Sequence, residues 1–359
     1  MIYLDHAATT PLCEAARKAI IKHLDDFGNP SSSYELGRKS RVLIEDARER
    51  IAKCINAEPD EIYFTSGGSE ANTWALNQFI TIATNFEHHS IEAEAHIPVE
   101  SDGIVCANKY KKMICWLDNT ASCMYVNNEL GTIQPVKEIA EISHNKKKWF
   151  HMDAVQALPH IIIDVKDINC DMLSASGHKF GAPKGIGFLY VKKDGPKLAP
   201  LIYGGKQEQG IRGGTENILG IVSMATALED TIEHMEERNT HVKYLRDRLL
   251  ERLLQIPGSY LNGSLENRVC SNINIRFSGV SGSRLVALCS LYGVYISAGS
   301  ACNEGISEPS HVLKAIGLTD EEALSSVRIT IGHENTEEEI DEAAKIITAL
   351  VERIRNDNE

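Results

Sequence analysis

The sequence lacks any run of about 18 apolar residues, the length that a transmembrane helix requires. Its first residues, MIYLDHAATTPL, contain neither the basic segment nor the apolar core of a signal peptide. The nine cysteines are odd in number and never form a CxxC pair, so neither a disulfide framework nor a metal site is predicted. We therefore expect a cytoplasmic protein with reduced thiols and no membrane partner.

Basic residues are outnumbered: 37 Lys and Arg stand against 50 Asp and Glu, a formal charge of −13. This balance argues against direct binding of nucleic acid, because proteins that bind it are usually basic along one face. There is also no internal repeat and no linker rich in proline or glycine. The 359 residues, 43% of them hydrophobic, are enough for one large domain and a smaller one.

Short apolar runs alternate with longer amphipathic segments, which predicts an α/β fold with a mostly parallel sheet covered on both faces. Strands are predicted at 61–66, 113–117, 122–127, 149–153, 172–175 and 187–191, and helices near 36–55, 69–81 and 136–145. Past residue 216 a long helical stretch leads to further strands at 271–277, 294–297 and 326–331. These form a second, smaller α+β unit. We predict a large domain over 13–235 and a small one formed by 1–12 and 236–359.

One lysine, Lys179, lies in the glycine-flanked stretch SASGHKFGAPKG at 174–185. The preceding strand would deliver its amine to the edge of the sheet, where ligands bind in open α/β folds. An amine buried there can lose its proton and attack a carbonyl carbon. A surface lysine in a turn is the alternative, and this stretch alone favours neither.

Three further features supply partners for such a lysine. Asp153 ends a predicted strand and could keep a pyridinium nitrogen protonated, although it could equally cap a helix. The turn TSGGSEAN at 65–72 could hold a phosphate at a helix N-terminus, but such turns are common. The histidines of EHHS at 87–90 could stack on a cofactor or transfer protons, or could simply be surface residues.

Taken together, these motifs resemble those of the cysteine desulfurases. These form the NifS-like group of the class V aminotransferase family, among the fold-type I pyridoxal-phosphate enzymes. The resemblance covers almost the whole chain. It is carried by YLDHAATTPL, TSGGSEAN, EHHS, VNNELG, HMDAVQ, SGHKFGAPKGIG, RGGTEN, SAGSACNEGISEPSHVLKAIG and VRITIGHENTEEEID. It implies a mostly parallel seven-stranded sheet between helices, with the cysteine loop in the small domain.

The resemblance also assigns roles at matching positions. Lys179 would form the Schiff base with pyridoxal phosphate, His88 would stack on its ring and assist proton transfer, and Asp153 would pair with the ring nitrogen. Gln156 and Asn128 would contact the ring oxygen and the substrate, and Arg328 would bind the substrate carboxylate. The phosphate would be held by Gly68, Ser69, Ser176 and His178, with Thr215 reaching in from the second subunit of a homodimer.

Cys302, in SAGSACNEGISEPS at 297–310, determines the expected reaction. Its small and polar neighbours are typical of an exposed, mobile loop, where a thiol has no packing role. The resemblance makes Cys302 the nucleophile that attacks the sulfur of L-cysteine, leaving alanine and a persulfide for a sulfur-acceptor protein. Because attack requires the thiolate, we expect some activation of this thiol. The other cysteines, such as Cys115, Cys123 and Cys289, are interpreted as core residues or given no role.

The sequence departs from the family pattern at three places. Tyr34 replaces the histidine of an NPSSxH motif, and the chain between EHHS and VNNELG is shorter than usual. The chain also ends soon after HENTEEEID, so no tail for docking an iron–sulfur scaffold is expected.

The sulfur acceptor could serve iron–sulfur clusters, tRNA thiolation, DNA phosphorothioation or another pathway. A selenocysteine lyase, or a cysteine lyase that acts without a persulfide, is the alternative enzyme. A partner-binding protein on a decayed enzyme fold is the non-enzymatic one.

Overall fold

The structure, a computed structural model, describes residues 1–114, 119–298, 302–303 and 306–357, with the backbone alone described at 302–303 and 306–307. Within those ranges the strands are β1 (Ile2–Tyr3), β2 (Ile62–Thr65), β3 (Thr81–Thr84), β4 (Ala95–Ile97), β5 (Thr120–Ser122), β6 (Trp149–Asp153), β7 (Met172–Ser176), β8 (Gly187–Val191), β9 (Ser259–Leu261), β10 (Asn272–Phe277), β11 (Val294–Tyr295), β12 (Cys302–Asn303), β13 (Ile306–Ser307) and β14 (Ser326–Thr330). The helices are α1 (Glu14–His23), α2 (Glu35–Cys54), α3 (Gly68–Leu76), α4 (Ala107–Met113), α5 (Val136–Asn145), α6 (Val165–Ile168), α7 (Ile218–Glu233), α8 (Met235–Leu254), α9 (Gly282–Leu291), α10 (His311–Ala315), α11 (Asp320–Leu324) and α12 (Glu337–Asn356).

Seven strands form the large sheet, in the order β2-β8-β7-β6-β5-β3-β4. Only β8 runs against its neighbours, β2 and β7, while the other pairs are parallel. Asp153 is in register with Ser174, so β6 and β7 end at the same edge of the sheet. This confirms the mostly parallel seven-stranded sheet. It also brings the end of β6 close to the turn that carries Lys179.

Both faces of this sheet are covered, which explains why its central strands have apolar residues in succession rather than in alternation. All five residues of β7 and all five of β8 are buried. On one face the core includes Ile44 and Ile51 of α2, and on the other Trp74 of α3 is fully buried. The sheet is thus held rigidly between two apolar layers.

A smaller antiparallel sheet, in the order β14-β10-β9, has an apolar cluster of its own. That cluster takes Leu245 from α8 and Ile347 from α12, and it also includes Leu4 near the N-terminus. The first strand, β1, pairs with β11, and Asp5 forms an isolated bridge with Thr330 of β14. The first residues therefore pack with the later part of the chain, as a small domain formed by 1–12 and 236–359 would require. The division itself stays a prediction.

Most predicted elements are confirmed, including the strands at 149–153, 172–175 and 187–191 and the helices at 36–55 and 136–145. The strand predicted at 113–117 is wrong at Met113, the last residue of α4, and 115–117 lie outside the described residues. The helix predicted over 69–81 ends at Leu76, because the chain enters β3 at Thr81. The long helix after residue 216 is two helices, α7 and α8, which meet at His234.

The strand predicted over 122–127 is also wrong for most of its length, because β5 ends at Ser122. Beyond it, the backbone N–H of Tyr125 still donates to the carbonyl oxygen of Asp153 at 2.9 Å. The segment thus follows β6 to its end without forming a ladder. Across the described residues, no helix combines the length and apolarity needed to cross a membrane.

Candidate active site

Lys179 ends the short 3-10 turn Gly177–Lys179, which directly follows β7. Its Nζ donates to the carbonyl oxygens of Ala7 at 2.6 Å and Ala8 at 2.9 Å. Burial, and to a smaller extent the charge of Arg328, lowers the pKa of this amine to about 8, against the opposing charges of Asp153 and Asp5. About a tenth of the amine is therefore neutral at pH 7, far more than for an ordinary lysine, and the neutral form is the one that a nucleophile or base requires.

Asp153 is buried at the end of β6, where its two carboxyl oxygens have different partners. Oδ2 accepts a hydrogen bond from Nδ2 of Asn72 at 2.7 Å, and Oδ1 accepts one from the backbone N–H of Val155 at 2.9 Å. Burial raises the pKa of Asp153, although these hydrogen bonds and the charges of His88 and Lys179 act in the opposite direction. The carboxyl group is held in one orientation and would be stabilised by a cation.

His88 lies in the loop after β3, with Nδ1 at 2.7 Å from the hydroxyl of Ser90. The backbone N–H of Ser90 also donates to Nδ1, at 3.1 Å, so this nitrogen is an acceptor. Burial lowers the pKa of His88, which keeps the imidazole neutral. A neutral ring whose Nδ1 accepts must carry its proton on Nε2, and Nε2 is then available as a donor.

The N-terminus of α3 forms one end of the cavity. Gly67 precedes the helix and provides no side-chain cap, so the first amide N–H groups of the helix remain available to a ligand. A Cβ at Gly68 would lie 2.7 Å from Cγ2 of Val155, so only glycine fits there without a shift. Ser69, Ser176 and His178 line the same end. Backbone amides, hydroxyls and an imidazole at a helix N-terminus are suited to a phosphate group.

Arg328, on β14, approaches from the small sheet. Its Nη1 donates to the backbone oxygen of Asn128 at 2.9 Å, and its Nη2 donates to Oδ1 of Asp5 at 2.8 Å. Its Nε is buried and has no hydrogen-bond partner among the described residues. Gln156 donates from Nε2 to the carbonyl oxygen of Ala7 at 2.9 Å, the same oxygen that Lys179 contacts.

One cavity of about 300 Å³ joins ten of the residues predicted to form the site. These are Gly68, Ser69, His88, Asn128, Asp153, Gln156, Ser176, His178, Lys179 and Arg328. Sequence reasoning missed Asn72, Met124, Val155 and the Ala7–Ala8 backbone, which also line it. Asn72 belongs to TSGGSEAN and follows Ser69 by three residues, so a helical reading of that motif would have found it.

Two predicted residues are not described at this cavity. Thr215 lines a separate cavity with Thr65, Ser66 and Glu216. The backbone of Cys302 lies in β12, which pairs with β13 through Ser307, and its side chain lies outside the described residues. The roles of both residues therefore stay predictions.

Comparisons with known proteins agree with this architecture. Residues 2–343 match the family model described as aminotransferase class-V. A cysteine desulfurase IscS of Methanosarcina thermophila is 41% identical over 378 residues, covering 99% of this chain and 93% of the relative. One of Dictyoglomus turgidum is 40% identical over 376 residues, covering 99% and 95%.

Solved structures are similar over nearly the whole chain. A NifS-like protein superposes with a TM-score of 0.91 at 33% identity, covering 98% of this chain and 99% of its own. A structure described as SspA in complex with cysteine gives a TM-score of 0.81 at 32% identity, covering 94% and 100%. A half-buried lysine and a buried aspartate at the strand ends of a mostly parallel sheet define an α/β enzyme. The chain belongs to the aminotransferase class-V family.

Proposed function

We propose that this cysteine desulfurase takes the sulfur atom of L-cysteine onto the thiol of Cys302 and releases L-alanine. The observation that carries the proposal is the convergence of Lys179, Asp153, His88 and Arg328 on one cavity. The matching relatives named cysteine desulfurase, and the similar structure determined with cysteine, support it. The reaction balances without an added oxidant: the SH group of the substrate ends on Cys302 as the outer sulfur of a persulfide, and a proton equivalent to the one lost by Cys302 replaces it on the substrate carbon, which gives alanine.

Pyridoxal phosphate fits the side chains around the cavity. The uncapped N-terminus of α3, with Ser69, Ser176 and His178, is suited to its phosphate. At the other end, Asp153 is a buried carboxyl whose pKa is raised by burial, so the protonated ring nitrogen would provide the stabilising cation. When bound, this cofactor supplies an electron sink for the charge left on the substrate carbon after proton removal.

Lys179 is the base that removes this proton in the proposed reaction. In the neutral amine, the two hydrogens are donated to the carbonyl oxygens of Ala7 and Ala8, and the nitrogen lone pair is left free. The pKa of about 8 makes this neutral form accessible at physiological pH. The two carbonyl groups therefore orient the lysine as well as contact it.

Arg328 and His88 act on the substrate from two sides. Arg328 offers its unpartnered Nε to the substrate carboxylate, for which a guanidinium is well shaped. His88 is neutral and carries its proton on Nε2, so its imidazole ring would stack on the cofactor ring and its Nε2–H can donate a proton to the substrate. Asn128 and Gln156 complete the wall on the substrate side.

Cys302 attacks the substrate sulfur as a thiolate and then carries the persulfide to a sulfur-acceptor protein. The S–H bond of Cys302 and the C–S bond of the substrate break. One S–S bond forms, and one proton adds to the substrate carbon that lost the sulfur, so that a C–H bond of alanine forms. The position of Cys302 in this sequence, within SAGSACNEG, supports the assignment.

We also propose a homodimer in which Thr215 of one subunit reaches the phosphate end of the other site. Thr215 lines a cavity away from Lys179 in its own chain. Neither carboxyl oxygen of its buried neighbour Glu216 has a hydrogen-bond partner among the described residues, although Oε1 lies 3.7 Å from Nη2 of Arg41. This incompletely satisfied carboxylate supports a partner subunit at this region. Tyr203, which is 85% exposed, adds an apolar surface nearby.

Mass spectrometry tests the reaction. The protein loaded with pyridoxal phosphate is incubated with L-cysteine, alkylated and digested. We expect one additional sulfur atom on the peptide that contains Cys302, together with alanine in equal amount. Cys302→Ala should keep the bound cofactor yet release no sulfide, while Cys13→Ala should behave as the wild type. Sulfide release that persists in Cys302→Ala would support a persulfide-independent lyase instead.

A further inference from the structure

The guanidinium of Arg328 is held from behind by a carboxylate that does not line the substrate cavity. Nη2 donates to Oδ1 of Asp5 at 2.8 Å, while Nη1 donates to the backbone oxygen of Asn128 at 2.9 Å. Asp5 is absent from the residues around the cavity, whereas Arg328 is among them. Two of the three guanidinium nitrogens are thus bound by the protein, and Nε alone has no partner among the described residues.

The position of Asp5 is itself fixed by several contacts. Asp5 bridges Thr330, two residues beyond Arg328 on β14, and the backbone N–H of Ala7 donates to the hydroxyl of Thr330 at 2.9 Å. The hydroxyl of Tyr3 contacts the carbonyl oxygens of Asp5 at 3.0 Å and Thr9 at 2.8 Å. The carboxylate is therefore presented to Arg328 by a backbone segment pinned to the same strand.

A buried guanidinium is costly unless its charge and its N–H groups find partners. The side chain of Arg328 is only 9% exposed, and that of Asp5 20%. Asp5 supplies the opposite charge but uses a single oxygen on a single nitrogen, so it leaves donor capacity unused. The unused donor, Nε, belongs to a residue that borders the cavity, where a second carboxylate could bind it.

We propose that Asp5 is a positioning residue of the carboxylate site: it fixes the plane of Arg328 so that Nε is offered to the carboxylate of the amino acid substrate. This inference rests on the proposed desulfurase function and deepens it. Asp5 acts through Arg328 and does not itself touch the substrate. Its removal should therefore affect recognition of the carboxylate and leave recognition of the amine and the thiol unchanged.

Three variants of the enzyme loaded with pyridoxal phosphate distinguish the orientation of Arg328 by Asp5, the charge of Asp5 and the support of its backbone by Tyr3. Asp5→Ala removes the acceptor, Asp5→Asn keeps an acceptor oxygen but loses the charge, and Tyr3→Phe loosens the same segment without touching Arg328. For L-cysteine we expect Asp5→Ala to raise KM about tenfold with kcat changed less than about threefold. Asp5→Asn and Tyr3→Phe should keep KM within about threefold of the wild type.

Cysteamine, which has the amine and thiol of cysteine but no carboxylate, provides the matched ligand. Its inhibition constant should be the same for Asp5→Ala and the wild type. The inference is overturned if that constant rises together with KM, if KM of Asp5→Ala is unchanged, or if Tyr3→Phe or Asp5→Asn raises KM as much. Should Asp5→Ala not fold, Asp5→Ser, whose hydroxyl is too short to reach Arg328, takes its place. Failure of the proposed function would be distinct, because the wild type itself would then release no sulfide from L-cysteine.

Discussion

Asn72 donates a hydrogen bond to Asp153 at 2.7 Å. This bond connects α3, at the phosphate end of the site, to the end of β6. The same Nδ2 also donates to the hydroxyl of Ser90 at 3.0 Å, and Ser90 contacts His88. One amide therefore links the carboxyl group and the imidazole that face the cavity. Its hydrogen bond favours the ionised form of Asp153 against the effect of burial.

Asn72→Ala should move the acid limb of the activity profile to higher pH. Removing the amide raises the pKa of Asp153 further, and the carboxyl group must be ionised to pair with a ring cation. A hydrogen bond to a charged group contributes about 1.5–3 kcal/mol, so the displacement should be readily measured in sulfide release against pH. Asn77→Ala, on the exposed side of the chain just after α3, is the control and should leave the profile unchanged. An acid limb that does not move would mean that Asn72 has no part in the charge state of Asp153.

Most of the fold could be predicted from the sequence because the spacing of apolar residues that indicates a strand or a helix is set within a short segment of the chain. The prediction failed at 113–117, where a short apolar run fits a helix end as well as a strand, and Met113 proved to end α4. It also merged α7 and α8, since both are amphipathic and the break at His234 contains neither proline nor glycine.

The lysine, the aspartate and the phosphate turn could be predicted to lie close together because parallel strands end at one edge of a sheet. Their roles came from the family resemblance. The contacts of Asp5, Ala7 and Ala8 could not be predicted, because they depend on the first residues crossing to β14 and to the Lys179 turn, more than 160 positions away. The spacing of apolar residues along the chain gives no information about contacts between segments so far apart. The roles of Cys302 and Thr215 rest on the resemblance alone.

The rate at which the apoprotein takes up pyridoxal phosphate should depend on pH through Lys179. Its pKa of about 8 means that the reactive neutral amine decreases about tenfold for each pH unit below that value. We expect the uptake rate, followed by the visible absorbance of the bound cofactor, to rise with pH and to level off above about 8. Lys179→Ala should develop no such absorbance, whereas Lys184→Ala, an exposed lysine of the same stretch, should reproduce the wild-type profile. A pH-independent uptake rate would contradict this role of the amine.

Gly68→Ala should weaken cofactor binding about tenfold, because the added Cβ would lie 2.7 Å from Cγ2 of Val155 and displace the helix N-terminus. The dissociation constant is measured by titrating the apoprotein with pyridoxal phosphate. The double variant Gly68→Ala with Val155→Ala removes the obstructing methyl group and should recover part of the lost affinity, while Val155→Ala alone is the control. No recovery in the double variant would show that the clash with Val155 is not the cause.

His151 should make the folded state less stable at acid pH. It is buried between strands, with Nδ1 at 2.9 Å from the hydroxyl of Ser122 and Nε2 at 2.9 Å from that of Ser174, and burial lowers its pKa to about 3. The unfolded chain takes up a proton near pKa 6.5 while the folded chain does not, so stability is complete above that pH and falls below it.

Between pH 7 and pH 5 this residue should cost the wild type about 2 kcal/mol of its free energy of unfolding, measured by urea denaturation of the apoprotein. His151→Gln should be less stable at pH 7, yet lose about 2 kcal/mol less over the same interval. His234→Gln, with a side chain 43% exposed, should keep the wild-type dependence on pH. Equal losses in His151→Gln and the wild type would mean that another group governs acid stability.

Mixing two inactive variants tests whether Thr215 serves the site of the other subunit. Thr215→Glu would place a negative charge against the phosphate, and Lys179→Ala removes the base, so each homodimer should be inactive. In a mixed dimer, one site combines an intact Lys179 with the intact Thr215 of the other subunit. Refolding equal amounts together should restore about a quarter of the wild-type activity, because about half of the dimers are mixed and each has one intact site. If Thr215 instead served its own subunit, every site in the mixture would carry one of the two substitutions, and no activity would return.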